Sequence, residues 1–317
     1  MLTTAGQELT REEIQHGWDD AHVRPLWEIA AAHRPDAAAG GPVIWPWRTL
    51  EPLVARAIAL ASPASAERRV LSLIDPTAGP SDFHTITNLN AGLQILLPGE
   101  VARPHRHSMD ALRFVLEGGG AVTKVDGTLA PMEFGDNVLT PGWCWHEHWH
   151  EGTAPMVWLD VLNVHAHLHM GTFSFEPGPP HDVPPPIDPT TLRYPFAAAK
   201  RDLDAIAPGR DGARWLRYVN PLTGEPVMPL LDSYLVRLDA GQTTLPLRTS
   251  AHSICTVVEG RGSTTGAGST VTWEARDIFT LPDRASIVHH ADEPSYLFVV
   301  TDREILRRLD LLTEEYG

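Results

Sequence analysis

The sequence has little cysteine and a deficit of positive charge. Its 317 residues include only two cysteines, Cys144 and Cys255, which excludes a disulfide framework and is typical of a reducing compartment. Lysine and arginine number 25 against 40 aspartates and glutamates, and the net charge of −15 argues against nucleic acid as a partner. A site that holds an anion must therefore use local arginines.

Long apolar runs are also missing. No stretch approaches the length that a transmembrane helix needs, and residues 1–13 lack the basic and apolar segments of a secretory signal. We therefore expect a cytoplasmic protein with no membrane partner. The length allows two modest domains.

Histidine, by contrast, is plentiful, and three of the 16 histidines stand at regular offsets from glycines. Gly99 precedes His105 and His107, whereas Gly135 and a proline precede His146. Because residues i and i+2 of a strand point to the same face, His105 and His107 can present two imidazoles to one side of a barrel wall. His146 can add a third from another strand. These spacings match the two half-motifs of a cupin and predict a metal site for iron, manganese, copper or zinc.

The same framework recurs later in the chain without the histidines. Five residues separate Gly241 from Leu247, and Thr249 follows two positions later. Ile287 occupies the position that corresponds to His146. Strand-rich sequence extends over residues 69–175 and 234–301. We predict a mainly β bicupin, in which two double-stranded β-helix (jelly-roll) barrels carry N-terminal helices and a C-terminal helix. Only the first barrel is expected to bind metal.

The predicted organisation has four parts. Residues 1–64 form an N-terminal helical arm with helices over 10–34 and 50–60, and residues 65–175 form the metal-binding cupin. Residues 176–230 form a proline-rich linker, with seven prolines between 176 and 189, and a partly helical connector. Residues 231–317 form the metal-free cupin and a C-terminal helix over 303–312.

Other histidines and acids near the motifs are given different roles. His165, His167 and His169 alternate and are expected to line one face of a strand without binding metal. His289 and His290 are expected to be structural or interfacial. Asp110 is not expected to be a fourth ligand, because its register does not place it beside the pair in the first barrel.

Eight segments carry a resemblance to a known family: Pro25 to Glu28, Arg68 to Leu71, Ala91 to Gln94, His105 to His107, Ala111 to Phe114, Trp143 to His148, Trp158 to Asp160 and Asn220 to Gly224. From about Pro25 to its end, the chain resembles the gentisate 1,2-dioxygenase family of bicupins, which includes salicylate and 1-hydroxy-2-naphthoate 1,2-dioxygenases. The resemblance implies a homotetramer or homodimer.

The resemblance also implies the chemistry. His105, His107 and His146 would bind Fe(II), which the substrate chelates through its carboxylate and the adjacent phenolate oxygen, with dioxygen as cosubstrate. Cleavage between the carboxyl-bearing and hydroxyl-bearing ring carbons would convert gentisate to maleylpyruvate, and we expect an extradiol-type dioxygenase. Salicylate, substituted salicylates and 1-hydroxy-2-naphthoate are alternative substrates. A metal cupin that works without dioxygen, such as an isomerase or decarboxylase, and a non-catalytic binding cupin are alternatives of other classes.

The resemblance places six further residues at the substrate: Arg69, Asn90, Gln94 and Arg113 for binding, and His148 and Asp160 for orienting or deprotonating hydroxyls. Surface ion pairing is the alternative role for the arginines, and support of His146 is the alternative for His148 and Asp160. Asn90 stands where family members commonly carry an aromatic residue. That exchange leaves open a substrate that is larger or more polar than gentisate.

Overall fold

The computed structural model describes residues 40–61, 68–79, 82–182 and 184–317, together with positions 10, 12 and 16. The chain divides into two units, residues 1–39 and 40–317. The predicted helix over residues 10–34 therefore lies outside the described residues except at those single positions. The second unit contains both predicted barrels.

The first barrel consists of two antiparallel sheets. The six-stranded sheet contains β2 (Val70–Leu73), β3 (Asn90–Leu96), β5 (Ala111–Glu117), β8 (Asn137–Thr140), β10 (Met156–Leu162) and β12 (Arg193–Tyr194). The five-stranded sheet contains β4 (Val101–His107), β6 (Ala121–Val125), β7 (Thr128–Met132), β9 (His146–His150) and β11 (Phe175–Pro177). Their spatial orders are β12-β8-β5-β10-β3-β2 and β11-β4-β9-β6-β7.

The second barrel repeats this arrangement. Its six-stranded sheet contains β1 (Ile44–Trp45), β13 (Arg214–Arg217), β14 (Asp232–Leu238), β16 (Ser253–Glu259), β19 (Ile278–Leu281) and β21 (Ser295–Thr301). Its five-stranded sheet contains β15 (Leu247–Thr249), β17 (Arg261–Gly266), β18 (Ser269–Glu274), β20 (Ser286–Ala291) and β22 (Glu314–Tyr316). The predicted bicupin architecture is confirmed.

Four α-helices complete the described fold: α1 (Trp47–Leu60), α2 (Val164–His169), α3 (Phe196–Asp204) and α4 (Arg303–Arg308). The expected C-terminal helix thus ends before residue 312, because the chain leaves it to form β22, whose Tyr316 pairs with Leu247. None of the helices in the described part of the chain is long and apolar enough to cross a membrane.

The predicted strand face over residues 165–169 is wrong, because these residues form helix α2. β10 ends at Leu162, and the next residue, Asn163, accepts a hydrogen bond from the Asp110 amide at 3.0 Å. Histidines at alternate positions are equally compatible with a short helix, in which positions i and i+4 share a face. His165 and His169 indeed have ring centroids 6.2 Å apart.

The predicted linker begins inside the first barrel. Strand β11 pairs with the strand that carries two of the predicted ligands, so that Phe175 faces His107 and Pro177 faces His105. Proline is tolerated there because β11 is an edge strand and needs no second ladder partner. This edge strand covers the ligand strand β4.

The largest core lies between the two six-stranded sheets. Leu93, Phe114 and Leu159 of the first barrel and Phe298 of the second are fully buried there, and the two phenylalanine rings stack with centroids 4.1 Å apart. Successive side chains of a strand point to opposite faces. The neighbours of these core residues, among them Arg113, therefore turn to the other face of the sheet, inside the first barrel.

Candidate active site

Three histidines converge inside the first barrel. His105 and His107 share a face of β4, and His146, the first residue of β9, pairs with His105 across the sheet. The ring centroids lie 4.1 Å apart for His105 and His146 and 4.8 Å apart for His107 and His146. All three side chains are buried, and their ring nitrogens lie within 4.8 Å of one another. The predicted convergence of the triad is confirmed.

The hydrogen bonds of the triad suit metal binding. In each ring Nδ1 lies 2.9 to 3.0 Å from the backbone carbonyl oxygen of a residue two positions away, which assigns the proton to Nδ1 and the lone pair to Nε2. Nε2 of His146 is buried and has no hydrogen-bond partner among the described residues, whereas Nε2 of His105 accepts a hydrogen bond from Arg68. Burial is the largest cause that lowers the pKa of His105 to about 3 and of His107 to about 4, so both rings are neutral at neutral pH. The donor set therefore fits a divalent metal ion.

The two framing glycines of the motif have a conformational role. Gly99 and Gly135 have φ angles of 80° and 77°, which glycine adopts at no steric cost. At Gly135 a Cβ atom would also lie 2.7 Å from Cγ of Phe196. Gly99 turns the chain just before β4, which carries two of the ligands, and Gly135 turns it just before β8, the strand that precedes His146.

A buried ion pair stands near the triad. Nε of Arg113 on β5 lies 3.2 Å from Oδ1 of Asp160 on β10, and the Arg113 guanidinium also donates to the Thr140 hydroxyl. The Nε and Oδ1 atoms do not align as a hydrogen bond, which leaves both of them unsatisfied. Burial raises the pKa of Asp160, although the Arg113 charge opposes that shift. Buried groups of this kind favour a polar ligand that would complete their hydrogen bonds.

Arg69 does not reach this site. Its guanidinium donates all five of its hydrogen bonds within the protein, to both carboxylate oxygens of Glu100 and to the backbone oxygens of Ala61 and Ile95. The side chain is 2% exposed. These contacts occupy every donor of the Arg69 guanidinium, so its predicted substrate-binding role would require them to break, and that role stays a prediction.

The preceding residue, Arg68, contacts the triad instead. Nη1 of Arg68 lies 2.9 Å from Nε2 of His105, and its guanidinium lies over the Phe175 ring at 5.6 Å. The sequence after Arg68 contains a signal that distinguishes Arg68 from Arg69. The Leu71 and Leu73 side chains pack into the core between the barrels, so the odd-numbered positions of this segment, including Arg69, face away from the triad.

Gln94 and Asn90 lie on the same face of β3 by the two-residue period of the strand. Gln94 is buried beside Trp158 of β10, within the first barrel. The Asn90 amide is engaged within the protein, because Oδ1 lies 2.7 Å from Nδ1 of His165 and Nδ2 donates to the Phe83 carbonyl oxygen at 2.8 Å. Asn90 is therefore held at the end of the strand by its own contacts.

His148 and Asp160, both predicted to act on substrate hydroxyls, have separate partners within the protein. Nδ1 of His148 lies 2.8 Å from Oγ1 of Thr123, and no hydrogen bond among the described residues joins His148 to Asp160. Burial lowers the pKa of His148 well below its usual value, so the ring is neutral. Sequence reasoning did not find Thr123, whose position opposite His148 depends on the register of β6 and β9.

Comparison with known proteins places this geometry in a family. Residues 92–162 match the cupin domain family. The chain is 32% identical to gentisate 1,2-dioxygenase 1 of Aquipseudomonas alcaligenes, with 96% of each chain covered. It is also 32% identical to 1-hydroxy-2-naphthoate 1,2-dioxygenase of Nocardioides sp. (strain KP7), covering 98% of this chain and 89% of that protein. Crystalline salicylate 1,2-dioxygenase from Pseudoaminobacter salicylatoxidans, as adducts with gentisate, superposes with a TM-score of 0.88 at 29% identity, covering 99% of this chain and 96% of that one.

The chain belongs to the gentisate 1,2-dioxygenase family of bicupins. Its relatives are ring-cleaving dioxygenases, which supports an enzymatic role for this family member and a metal centre at its triad.

In this member of the gentisate 1,2-dioxygenase family, the second barrel has neither the histidine triad nor the arginine and aspartate pair at the matching positions. Leu247 pairs with Ile287 as His105 pairs with His146, and Cys255 pairs with Val299 as Arg113 pairs with Asp160. A histidine and threonine pair remains, however: Nδ1 of His289 lies 2.8 Å from Oγ1 of Thr264 at the register position of His148 and Thr123. His289 is buried, in agreement with the predicted structural role.

Proposed function

We propose that this protein is an Fe(II)-dependent dioxygenase that cleaves the ring of a 2-hydroxybenzoate-type acid, with gentisate as the first candidate and maleylpyruvate as its product. One observation carries the proposal: three neutral histidines direct their Nε2 atoms to a common point inside the barrel, and the Arg68 guanidinium lies 2.9 Å from one of those atoms. The names of the relatives support the substrate class.

The charges of the site favour a dianionic substrate. The three histidines contribute no charge, a divalent metal would add two positive charges, and Arg68 and Arg113 would add one each. Asp160 is the negative group paired with Arg113. A substrate that brings a carboxylate and an adjacent phenolate would offset most of this excess, and a guanidinium binds a carboxylate with paired hydrogen bonds.

The residues of the chain would bind and orient this substrate. Fe(II), when bound, supplies a centre where substrate and dioxygen meet and exchange electrons. Arg68 and Arg113 would hold the carboxylate, and Gln94 would contact the ring substituents. The Asn90 amide is already hydrogen-bonded within the protein, so Asn90 would affect the substrate by leaving more room than an aromatic side chain would.

His148 would accept or direct a proton of a substrate hydroxyl. The Thr123 hydroxyl has one proton, which it donates to Sδ of Met132 at 3.1 Å. With the proton so placed, the Thr123 oxygen would accept from Nδ1–H of His148, and the lone pair on Nε2 of that ring would be the one to accept a hydrogen bond from a substrate hydroxyl. Asp160 would act through Arg113, whose position it helps to fix.

The proposed bond cleavage also corrects the predicted label. The bond lies between a carboxyl-bearing and a hydroxyl-bearing carbon, whereas the term extradiol describes cleavage beside two hydroxyl-bearing carbons. We therefore describe the proposed reaction as a gentisate-type 1,2-cleavage.

A substrate panel tests this function. Protein loaded anaerobically with Fe(II) is mixed with gentisate, salicylate, substituted salicylates and 1-hydroxy-2-naphthoate, and oxygen uptake and the absorbance of a ring-opened keto acid are followed. We expect one dioxygen consumed per substrate. No oxygen uptake with any compound would refute the proposal, and full turnover without oxygen would instead identify an isomerase or decarboxylase.

A ligand variant separates catalysis from simple binding. His107→Ala should lose both iron and activity, and a variant that keeps both would refute the ligand assignment. A non-catalytic binding cupin would bind the acids with no turnover in either protein. We further propose a cytoplasmic homotetramer or homodimer, which light scattering of the purified protein would distinguish from a monomer.

A further inference from the structure

A second cluster of potential metal ligands lies outside the triad. Asp82 and His84 precede β3, and His165 belongs to α2. Oδ1 of Asp82 lies 2.7 Å from Nδ1 of His84 and 3.0 Å from Nε2 of His165. The potential ligand atoms of the three residues lie within 4.8 Å of one another, as those of the triad do. Two imidazoles and one carboxylate therefore meet at one point.

His165 is oriented by an acceptor on its other nitrogen, and a carboxylate lies near the other nitrogen of His84 beyond hydrogen-bond distance. Nδ1 of His165 lies 2.7 Å from Oδ1 of Asn90, and this contact directs Nε2 toward Asp82. Nε2 of His84 faces Oδ2 of Asp75 at 3.9 Å, with Nδ1 turned toward Asp82. Metal-bound histidines usually donate their other N–H to such a carboxylate or amide oxygen, which fixes the tautomer and the ring.

We propose that Asp82, His84 and His165 form a second site for a divalent first-row metal ion. Zn²⁺ is the ion used to test it. Around a tetrahedral zinc with bonds of about 2.1 Å the ligand atoms stand roughly 3.4 Å apart, so the Asp82 oxygen would have to move about 0.7 Å away from His84 and about 0.4 Å away from His165 to admit the ion. The Asp82 side chain is 38% exposed, which leaves room for water at a remaining position. The proposal is independent of the proposed ring cleavage.

The protonation states also suit metal binding. Hydrogen bonding by His84 lowers the pKa of Asp82 to about 2, so its carboxylate is ionised. Burial lowers the pKa of His165, which favours a neutral ring. The Asp82 oxygen additionally accepts from the His84 amide at 3.2 Å, so three nitrogen atoms surround one carboxylate oxygen. A hydrogen-bonded cluster without metal is the competing explanation.

Metal analysis of the holoprotein distinguishes the two. Protein with Fe(II) in the triad is equilibrated with Zn²⁺ by dialysis, and iron and zinc per chain are measured together. We expect one zinc in addition to the retained iron. His84→Gln and His165→Gln should each abolish binding of this zinc without loss of iron. His107→Ala should lose the iron and still bind the zinc.

A matched control uses another histidine beside carboxylates. His181 lies 3.4 Å from Glu176 and 3.7 Å from Asp182, but it is 64% exposed. His181→Gln should bind zinc as the wild type does. Zinc binding that survives His84→Gln and His165→Gln, or a wild type that takes up no zinc beside its iron, would overturn the proposal. Far-ultraviolet circular dichroism verifies that the variants are folded, and anomalous scattering at the zinc edge from zinc-soaked crystals gives the position directly.

Discussion

Separate exchanges of Arg68 and Arg69 for methionine should have different effects: Arg69→Met should lower stability, and Arg68→Met should lower catalytic activity. Arg69→Met removes the five hydrogen bonds of a buried guanidinium and leaves Glu100 without its cation. Loss of one partner of a buried ion pair costs about 3–5 kcal/mol, and because Glu100 is 18% exposed we expect the lower end of that range. A loss of about 3 kcal/mol lowers the melting temperature of a domain this large by roughly 6–12 °C.

Arg68→Met should have the opposite profile. The Arg68 side chain contacts His105 and Phe175, and its removal leaves no buried charge unpaired. We expect stability to change by no more than about 0.5 kcal/mol. Loss of a hydrogen bond to a charged carboxylate costs about 1.5–3 kcal/mol, which lowers kcat/KM by roughly 10- to 150-fold.

Urea unfolding and steady-state kinetics, with iron content measured for every sample, check both variants. Glu100→Gln is the matched control, since it should destabilise the protein as Arg69→Met does while kcat/KM per bound iron stays close to that of the wild type. An Arg69→Met variant that keeps wild-type stability but loses activity would refute this assignment, as would an Arg68→Met variant with full activity.

Three further changes test other parts of the structure. Thr123→Val should reduce kcat at unchanged iron content, since His148 loses the hydroxyl that orients it. Phe114→Ala should destabilise the protein by about 3–5 kcal/mol in urea unfolding, because the ring is fully buried against Phe298. Burial alone would lower the pKa of His252, but two aspartates raise it from 6.5 to about 9. The protonated ring then stabilises the fold below pH 6.5, and roughly 3 kcal/mol is lost as the pH rises through about 9, a loss that urea unfolding of His252→Gln should not show.

The sequence predicts best what depends on fixed spacing along one strand. His105 and His107 share a face by the period of two, and the glycine before each ligand segment marks a turn with positive φ. The recurrence of this frame around Leu247 was enough to predict two barrels. Such features need no knowledge of which strands are neighbours.

What the sequence does not predict depends on contacts between distant segments. Thr123 lies opposite His148 only because β6 and β9 pair in one register, and Asp82 meets His165 across 83 positions of the chain. The choice between Arg68 and Arg69 is an intermediate case. A shift of one residue reverses the face of a side chain, and the resemblance alone did not fix that register.

The second barrel shows which groups of the first are specific to its chemistry. Both barrels keep a histidine hydrogen-bonded to a threonine at the same register position, so this pair alone does not make an active site. The second barrel has apolar residues or threonine in place of the triad, and Cys255 and Val299 in place of the buried ion pair. The metal ligands and the arginine with its aspartate are thus absent together. Histidines placed at Leu247, Thr249 and Ile287 would restore donors for a metal without restoring the buried pair of Arg113 and Asp160, and we expect such a barrel to bind metal without cleaving an aromatic acid.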